Sequence, residues 1–244
     1  MRIYRGLGGS QLYGTAIADS DIDYIEVHLP TRDQIFGLGN KWEKIPQTLG
    51  EHDVSRFNVN QYIKLLAQGN PNVLETIFCP EDKMEICHNA FRTLVAGEDQ
   101  TMPGLAAIFH KDNIIQAHLG FAIQQTNKMM PAKAKWAGPR REALFKKYGY
   151  DVKYASHAIR LVHQCLELLE LGYVTYPYSP DIIKLLRDIR KGKYKLQEVR
   201  DMFAYELGRV EHMKEYDCAI NNEDKRPIIN QRLIAFYKEM EYAA

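Results

Sequence analysis

The chain has 244 residues, 45% of them apolar and 11% aromatic, enough for one large domain or two modest ones around a real core. Its net charge of +1 hides an asymmetry: residues 1–105 carry 9 Lys and Arg against 14 Asp and Glu, a balance of −5, while residues 106–244 carry 23 against 17, a balance of +6. That excess is too small for binding DNA by bulk charge, no apolar run reaches membrane-spanning length, and Cys79, Cys87, Cys165 and Cys218 show no zinc-finger spacing and read as buried reduced thiols.

No charged-then-apolar leader opens the sequence, so a cytoplasmic location is expected. Residues 1–5 suit a short strand leading into the turn Gly8-Gly9-Ser10, and Leu12 to Ala18 a helix. Residues 21–29 are the best strand candidate, with Asp21, Asp23, Ile25, Val27 and Leu29 on one face. Such a strand starts at an accessible site and runs into the core. Pro30, Gly37, Gly39, Pro46 and Gly50 mark a loop or partly ordered flap, and Asp53 to Phe57 a second strand. Val59, Tyr62, Ile63, Leu65 and Leu66 then form a helical stripe that closes near Gly69. Asn70-Pro71 supplies a cap and first-turn proline for a short helix through Phe78. Past Pro103-Gly104 the pattern turns helical, with stripes near 114–128, 152–171, 181–191, 196–216 and 229–242. A soft boundary near 105 divides a mixed strand-and-helix unit, 1–105, from a mainly helical unit, 106–244.

The chemistry concentrates near the start. Gly9 lets a backbone approach a phosphate, and Ser10 adds a hydroxyl and an N–H beside it. Eleven residues on, Asp21 and Asp23 offer two carboxylates to hard divalent cations holding a triphosphate. The turn is neither a Walker A loop nor a G-x-G-x-x-G fingerprint, because Gln11 takes the last glycine position. On the helix that starts at Asp151, Lys153, His157, Arg160 and Gln164 share one face with no acid among them. That face is read either as ordinary solvated surface or as a contact for nucleotide or acceptor phosphate. Lys153 in the first turn opposes the helix dipole, which a bound phosphate would offset. Between 128 and 147, Lys128, Lys133, Lys135, Arg140, Arg141, Lys146 and Lys147 interleave with Trp136, Phe145 and Tyr148. This composition suits single-stranded nucleic acid, or equally a solvated connector. The basic cluster from Arg187 to Lys195 sits where cations complement a helix end, and reads as structural.

Gly9-Ser10 followed by Asp21-x-Asp23 resembles the signature of the DNA polymerase β nucleotidyltransferase superfamily. Gly69-Asn-Pro-Asn-Val-Leu-Glu75, His118-Leu-Gly-Phe121 and Tyr150-Asp-x-Lys153-x-Ala-x-His157-x-x-Arg160-Leu161 are similar to the branch found in bacteriophages and beside RNA-ligase repair operons. The resemblance spans most of residues 6–200. It implies an α+β fold, a small mixed sheet of the polymerase-β palm type followed by a mainly helical part. It implies a third carboxylate on a neighbouring strand, matched here to Asp53, with Glu51 as competitor. Two Mg²⁺ (or Mn²⁺) ions on Asp21, Asp23 and Asp53 would accompany a nucleoside triphosphate, ATP or another. Gly9, Ser10, Lys153, His157 and Arg160 would bind the nucleotide. The implied reaction moves a nucleoside monophosphate to a hydroxyl, preferentially an RNA 3′ end, and releases pyrophosphate. Nucleotidylation of a protein or small molecule, and a catalytically silent nucleic-acid-binding or toxin-neutralising module, remain open readings.

Overall fold

A computed structural model describes residues 1–18, 20–36, 53–98, 107–129, 139–216 and 218–240, with the side chains of Arg140 and Arg141 outside that description. Strand β1 (Arg2–Gly8) buries Tyr4, Gly6 and Gly8 and leaves Arg5 and Leu7 half-buried. It runs straight into a short helix, α1 (Gly9–Tyr13), which stops at Gly14 in the left-handed region, φ 76°. The helix expected from Leu12 to Ala18 is therefore shifted to the glycine turn itself. Thr15 and Ala16 N–H both fold back to the Ser10 carbonyl instead of extending it.

Strand β2 (Asp23–His28) pairs antiparallel with β1, and strand β3 (Asp53–Asn58) pairs parallel with β2. Asp21 lies ahead of β2, so the two acids are not successive members of one strand face. Helix α2 (Arg32–Phe36) interrupts the expected loop after β2; the rest of that loop lies outside the described residues. Helix α3 (Val59–Ala67) is capped by the Asn58 side chain, and α4 (Pro71–Leu74) by Asn70 with proline at its first position. The latter ends sooner than the apolar stripe to Phe78 suggests. An edge strand, β4 (Met84–Cys87), and helix α5 (Asn89–Ala96) follow, neither foreseen. The strand is short and half exposed, so it carries no clear alternation. The mixed sheet has the order β3-β2-β1-β4. Ile25 and Val27 point from β2 into the core, while Glu26 on its other face is 1% exposed among Arg5, Arg56, His28 and Arg2 at 2.5, 2.8, 2.9 and 3.1 Å.

The remainder is helical: α6 (Lys111–Lys128), α7 (Pro139–Tyr148), α8 (Val152–Leu171), α9 (Pro180–Arg190), α10 (Leu196–Lys214) and α11 (Arg226–Glu239). Helix α8 is the axis. Asp151 caps it through the N–H groups of Lys153 and Tyr154, Gly172 ends it, and α6, α9 and α10 pack around it. Helix α11 returns to α5, where Arg232 donates to the Val95 carbonyl at 2.8 Å. One continuous apolar cluster therefore runs from Ile3 to Phe236. The expected boundary near 105 falls outside the described residues. The basic stretch 128–147 forms α7 in its second half, whereas Lys133, Lys135 and Trp136 lie outside the description. All four cysteines are free, with Cys79 and Cys165 buried. Among the described residues no helix is long and apolar enough to cross a membrane.

Candidate active site

Strand register assembles the acidic side. The antiparallel β1–β2 ladder sets Gly8 opposite Asp23, and the parallel β2–β3 ladder sets Asp53 opposite Asp23. The end of one strand and the starts of two others thus meet at one sheet edge. Gly9, at φ 59°, is so close to Asp23 that an added Cβ would lie 2.0 Å from the carboxylate Oδ2. Only glycine satisfies both the dihedral and the space. The glycine thus admits a carboxylate to the turn. Burial raises the proton affinity of Asp23, Asp53 and Asp21 raise it further, and the Lys153 ammonium opposes them.

Helix α8 forms the facing wall, and its four predicted polar residues do not share one open surface. Lys153 is exposed and His157 half-buried, whereas Arg160 is 2% and Gln164 0% exposed. Arg160 stacks over the Tyr13 ring, with its guanidinium carbon 4.3 Å from the centroid, and its Nη1 donates to Gln164 Oε1 at 3.0 Å. Glu75, 3% exposed, stands 3.6 Å from the same nitrogen. Its other contacts come from the turn: Gly9 N–H donates to Oε2 at 3.3 Å, and the Tyr13 hydroxyl donates to Oε1. Burial pushes the Glu75 carboxyl up, and Arg160, Tyr13 and Gly9 pull it back. His118 is wholly buried and gives its Nδ1–H to the Ile114 carbonyl at 2.8 Å; burial, then the nearby Arg160 charge, hold it at about 4, so it is neutral.

A second tie joins the walls. Arg187 on α9 donates to the Gly14 and Ala16 carbonyls at 2.8 and 3.1 Å, and Tyr178 N–H reaches the Tyr13 carbonyl at 3.2 Å. Between the walls lies a cavity of about 430 Å³. Gly9, Ser10, Asp21, Asp23 and Asp53 line it from the sheet side, and Lys153, His157 and Arg160 from α8. Every residue expected at the site except Glu51, which lies outside the described residues, therefore borders one space. Ile17, Leu144, Val152 and Leu186 add apolar surface of the kind a nucleobase or sugar packs on.

Three carboxylates facing one cleft are a hard-oxygen donor set suited to Mg²⁺ or Mn²⁺; Asp23 is held towards its neutral form chiefly by burial and then by the Asp53 and Asp21 charges, and a cation would offset both. Among the described residues no group of three or more His, Cys, Asp or Glu side chains is placed to hold a metal ion by itself. Ligand oxygens would have to finish the coordination, as is common for Mg²⁺ at phosphates. Sequence reading missed Glu75 as a partner of the turn. The signal available was a lone carboxylate in the otherwise uncharged run Val73-Leu-Glu-Thr-Ile-Phe-Cys79. Tyr13, Tyr176 and Tyr178, which surround Arg160, gave no signal at all.

A family model, RlaP, described as the RNA repair pathway DNA polymerase beta family, matches residues 2–224. No curated protein and no solved structure matches the chain.

Proposed function

The chain belongs to the RNA repair pathway DNA polymerase beta family, the polymerase-β-like nucleotidyltransferases of RNA repair, and on that premise we propose that it transfers a nucleoside monophosphate from a triphosphate to a hydroxyl. The observation that carries this is the convergence of the glycine–serine turn, three carboxylates and three basic side chains on one cleft of about 430 Å³. In the proposed reaction the acceptor oxygen bonds to the α-phosphorus, the bond to the bridging oxygen breaks, and pyrophosphate leaves. Divalent ions held by Asp21, Asp23 and Asp53 would neutralise the triphosphate and lower the pKa of the attacking hydroxyl. Asp53, exposed and in register with Asp23, is assigned to receive that proton. Ser10, Lys153, His157 and Arg160 hold the phosphates, and the developing charge meets fixed donors rather than reorienting water.

Residues 1–105 supply the carboxylates and the Gly9-Ser10 turn in this reading, and 106–244 the remaining nucleotide contacts and those to the acceptor. The preferred acceptor is the 3′ end of an RNA, engaged by the basic and aromatic stretch 128–147. Incubation with each labelled triphosphate, Mg²⁺ or Mn²⁺, and separate RNA, protein and small-molecule acceptors tests this directly. Label on RNA supports the full reading, and label on protein alone moves the acceptor to the alternative. Absence of transfer and of triphosphate binding with every combination would leave the silent binding module.

A further inference from the structure

Arg160 borders the cleft yet is 2% exposed, and neither its Nε nor its Nη2 makes a well-aligned hydrogen bond among the described residues, although the Tyr178 hydroxyl stands close enough to interact with the guanidinium. A buried charged group whose donors lack well-aligned acceptors is costly, so the guanidinium is poised for a ligand. Its counter-charge is only partly engaged. Glu75 stands 3.6 Å away, beyond hydrogen-bond length, while its oxygens accept from Gly9 N–H and the Tyr13 hydroxyl. Glu75 does not border the cleft itself. A buried anion behind the cation and a polyanion site in front of it compete for the same guanidinium.

We infer that Glu75 is a positioning residue acting through Arg160: a resident counter-ion that stores the guanidinium in the free protein and yields it to the substrate polyphosphate. The inference rests on the reading of Arg160 as a phosphate contact. Glu75 also holds the Gly9 N–H, so the same side chain ties the turn on one wall to the cation on the other. Binding of a polyphosphate then changes which partner Arg160 serves without creating a new charge in the cleft.

Inorganic tripolyphosphate with Mg²⁺, titrated calorimetrically into wild type, Glu75→Gln, Arg160→Gln and the double variant, separates the roles. Glutamine keeps an oxygen to accept from Gly9 N–H, can turn its amide N–H to donate to the Tyr13 hydroxyl oxygen, and removes the competing charge. The expected result is binding about tenfold tighter in Glu75→Gln, at least about tenfold weaker in Arg160→Gln, and no gain from Glu75→Gln once Arg160 is absent. Unchanged or weaker binding in Glu75→Gln, with Arg160→Gln impaired, overturns the inference and leaves Glu75 a structural pin. A gain that survives in the Arg160→Gln background also overturns it, since the effect then runs through the carboxylate cluster. Should Glu75→Gln not fold, the wild-type protein decides. The ¹³C resonance of the Glu75 carboxyl carbon should move at saturating tripolyphosphate, and an unmoved resonance overturns the proposal. Wild-type protein that binds neither tripolyphosphate nor any nucleoside triphosphate would overturn the nucleotidyltransferase reading, and this inference with it.

Discussion

Replacing Gly9 by alanine is the sharpest perturbation of the site, because two independent penalties fall on one methyl group. At φ 59° an L-residue pays about 1–2 kcal/mol for the left-handed backbone. The new Cβ would lie 2.0 Å from Asp23 Oδ2, so the carboxylate must retreat by roughly 1.4 Å or more to reach ordinary contact distance. The first penalty appears in urea unfolding, as a loss of about 1–2 kcal/mol. The second appears in the rate, since a misplacement of about 1 Å costs on the order of a hundredfold, roughly 2.7 kcal/mol of transition-state stabilisation. Gly8→Ala is the control. Its φ is −127°, and an added Cβ would meet Ile25 Cδ1 at 3.3 Å and Glu75 Oε2 at 3.5 Å, contacts that small side-chain movements relieve. The assay is incorporation of labelled nucleotide at saturating Mg²⁺, with the folded fraction fixed by the urea curves. Gly9→Ala enzyme with near-wild-type kcat/KM would refute the claim that the turn exists to admit the Asp23 carboxylate.

Alanine at Asp21, Asp23 or Asp53 should lower nucleotidyl transfer by about a thousandfold, some 4 kcal/mol. Urea stability should hold in Asp53→Ala, which removes a charge that crowds Asp23; near-normal rates in all three variants would dismiss this site. Burial alone would raise the Glu26 carboxyl, but hydrogen bonds from Arg56, His28 and Arg5 hold it at about 2, below its ordinary 4.5. Because the folded value is the lower one, the stabilisation is complete above about pH 5 and disappears as pH falls towards 2, amounting to about 3 kcal/mol. Urea unfolding from pH 7 to 2.5 should therefore show an acid-labile component that Glu26→Gln lacks, and parallel curves would contradict it. Single-stranded RNA affinity should fall with salt at a log–log slope of about −0.7 per phosphate contacted. Changing Lys133, Lys135, Arg140 and Arg141 to Gln should flatten that slope by about two to three units without altering triphosphate binding, and Trp136→Ala should cost about 1–3 kcal/mol. A flat salt dependence in wild type would move the acceptor to a protein or metabolite.

What the sequence alone determined is what lies within a few residues of chain. The Gly9-Ser10 turn, the cap at Asn70, the helix start at Asp151, the strand face of Asp23, Ile25 and Val27 and the long stripe of α8 each follow from local dihedral preference and periodicity. The pairing of the acids with basic residues further along was legible through motif resemblance, since chemistry constrains residue types even when their separation varies.

The tertiary structure alone decided which groups face one another. The parallel register that sets Asp53 beside Asp23 depends on how the intervening chain closes, and nothing in the spacing encodes it. Strand β4 exists because β1 offers it an edge, not because Met84 to Cys87 shows an alternation of its own. Arg160 reads from its helical face as a surface cation, yet the tyrosines of α1 and of the segment before α9 close over it, and Glu75 supplies the charge that permits its burial. A side chain's position along a helix follows from the period of the helix; its dielectric and its partners follow from whatever else packs there.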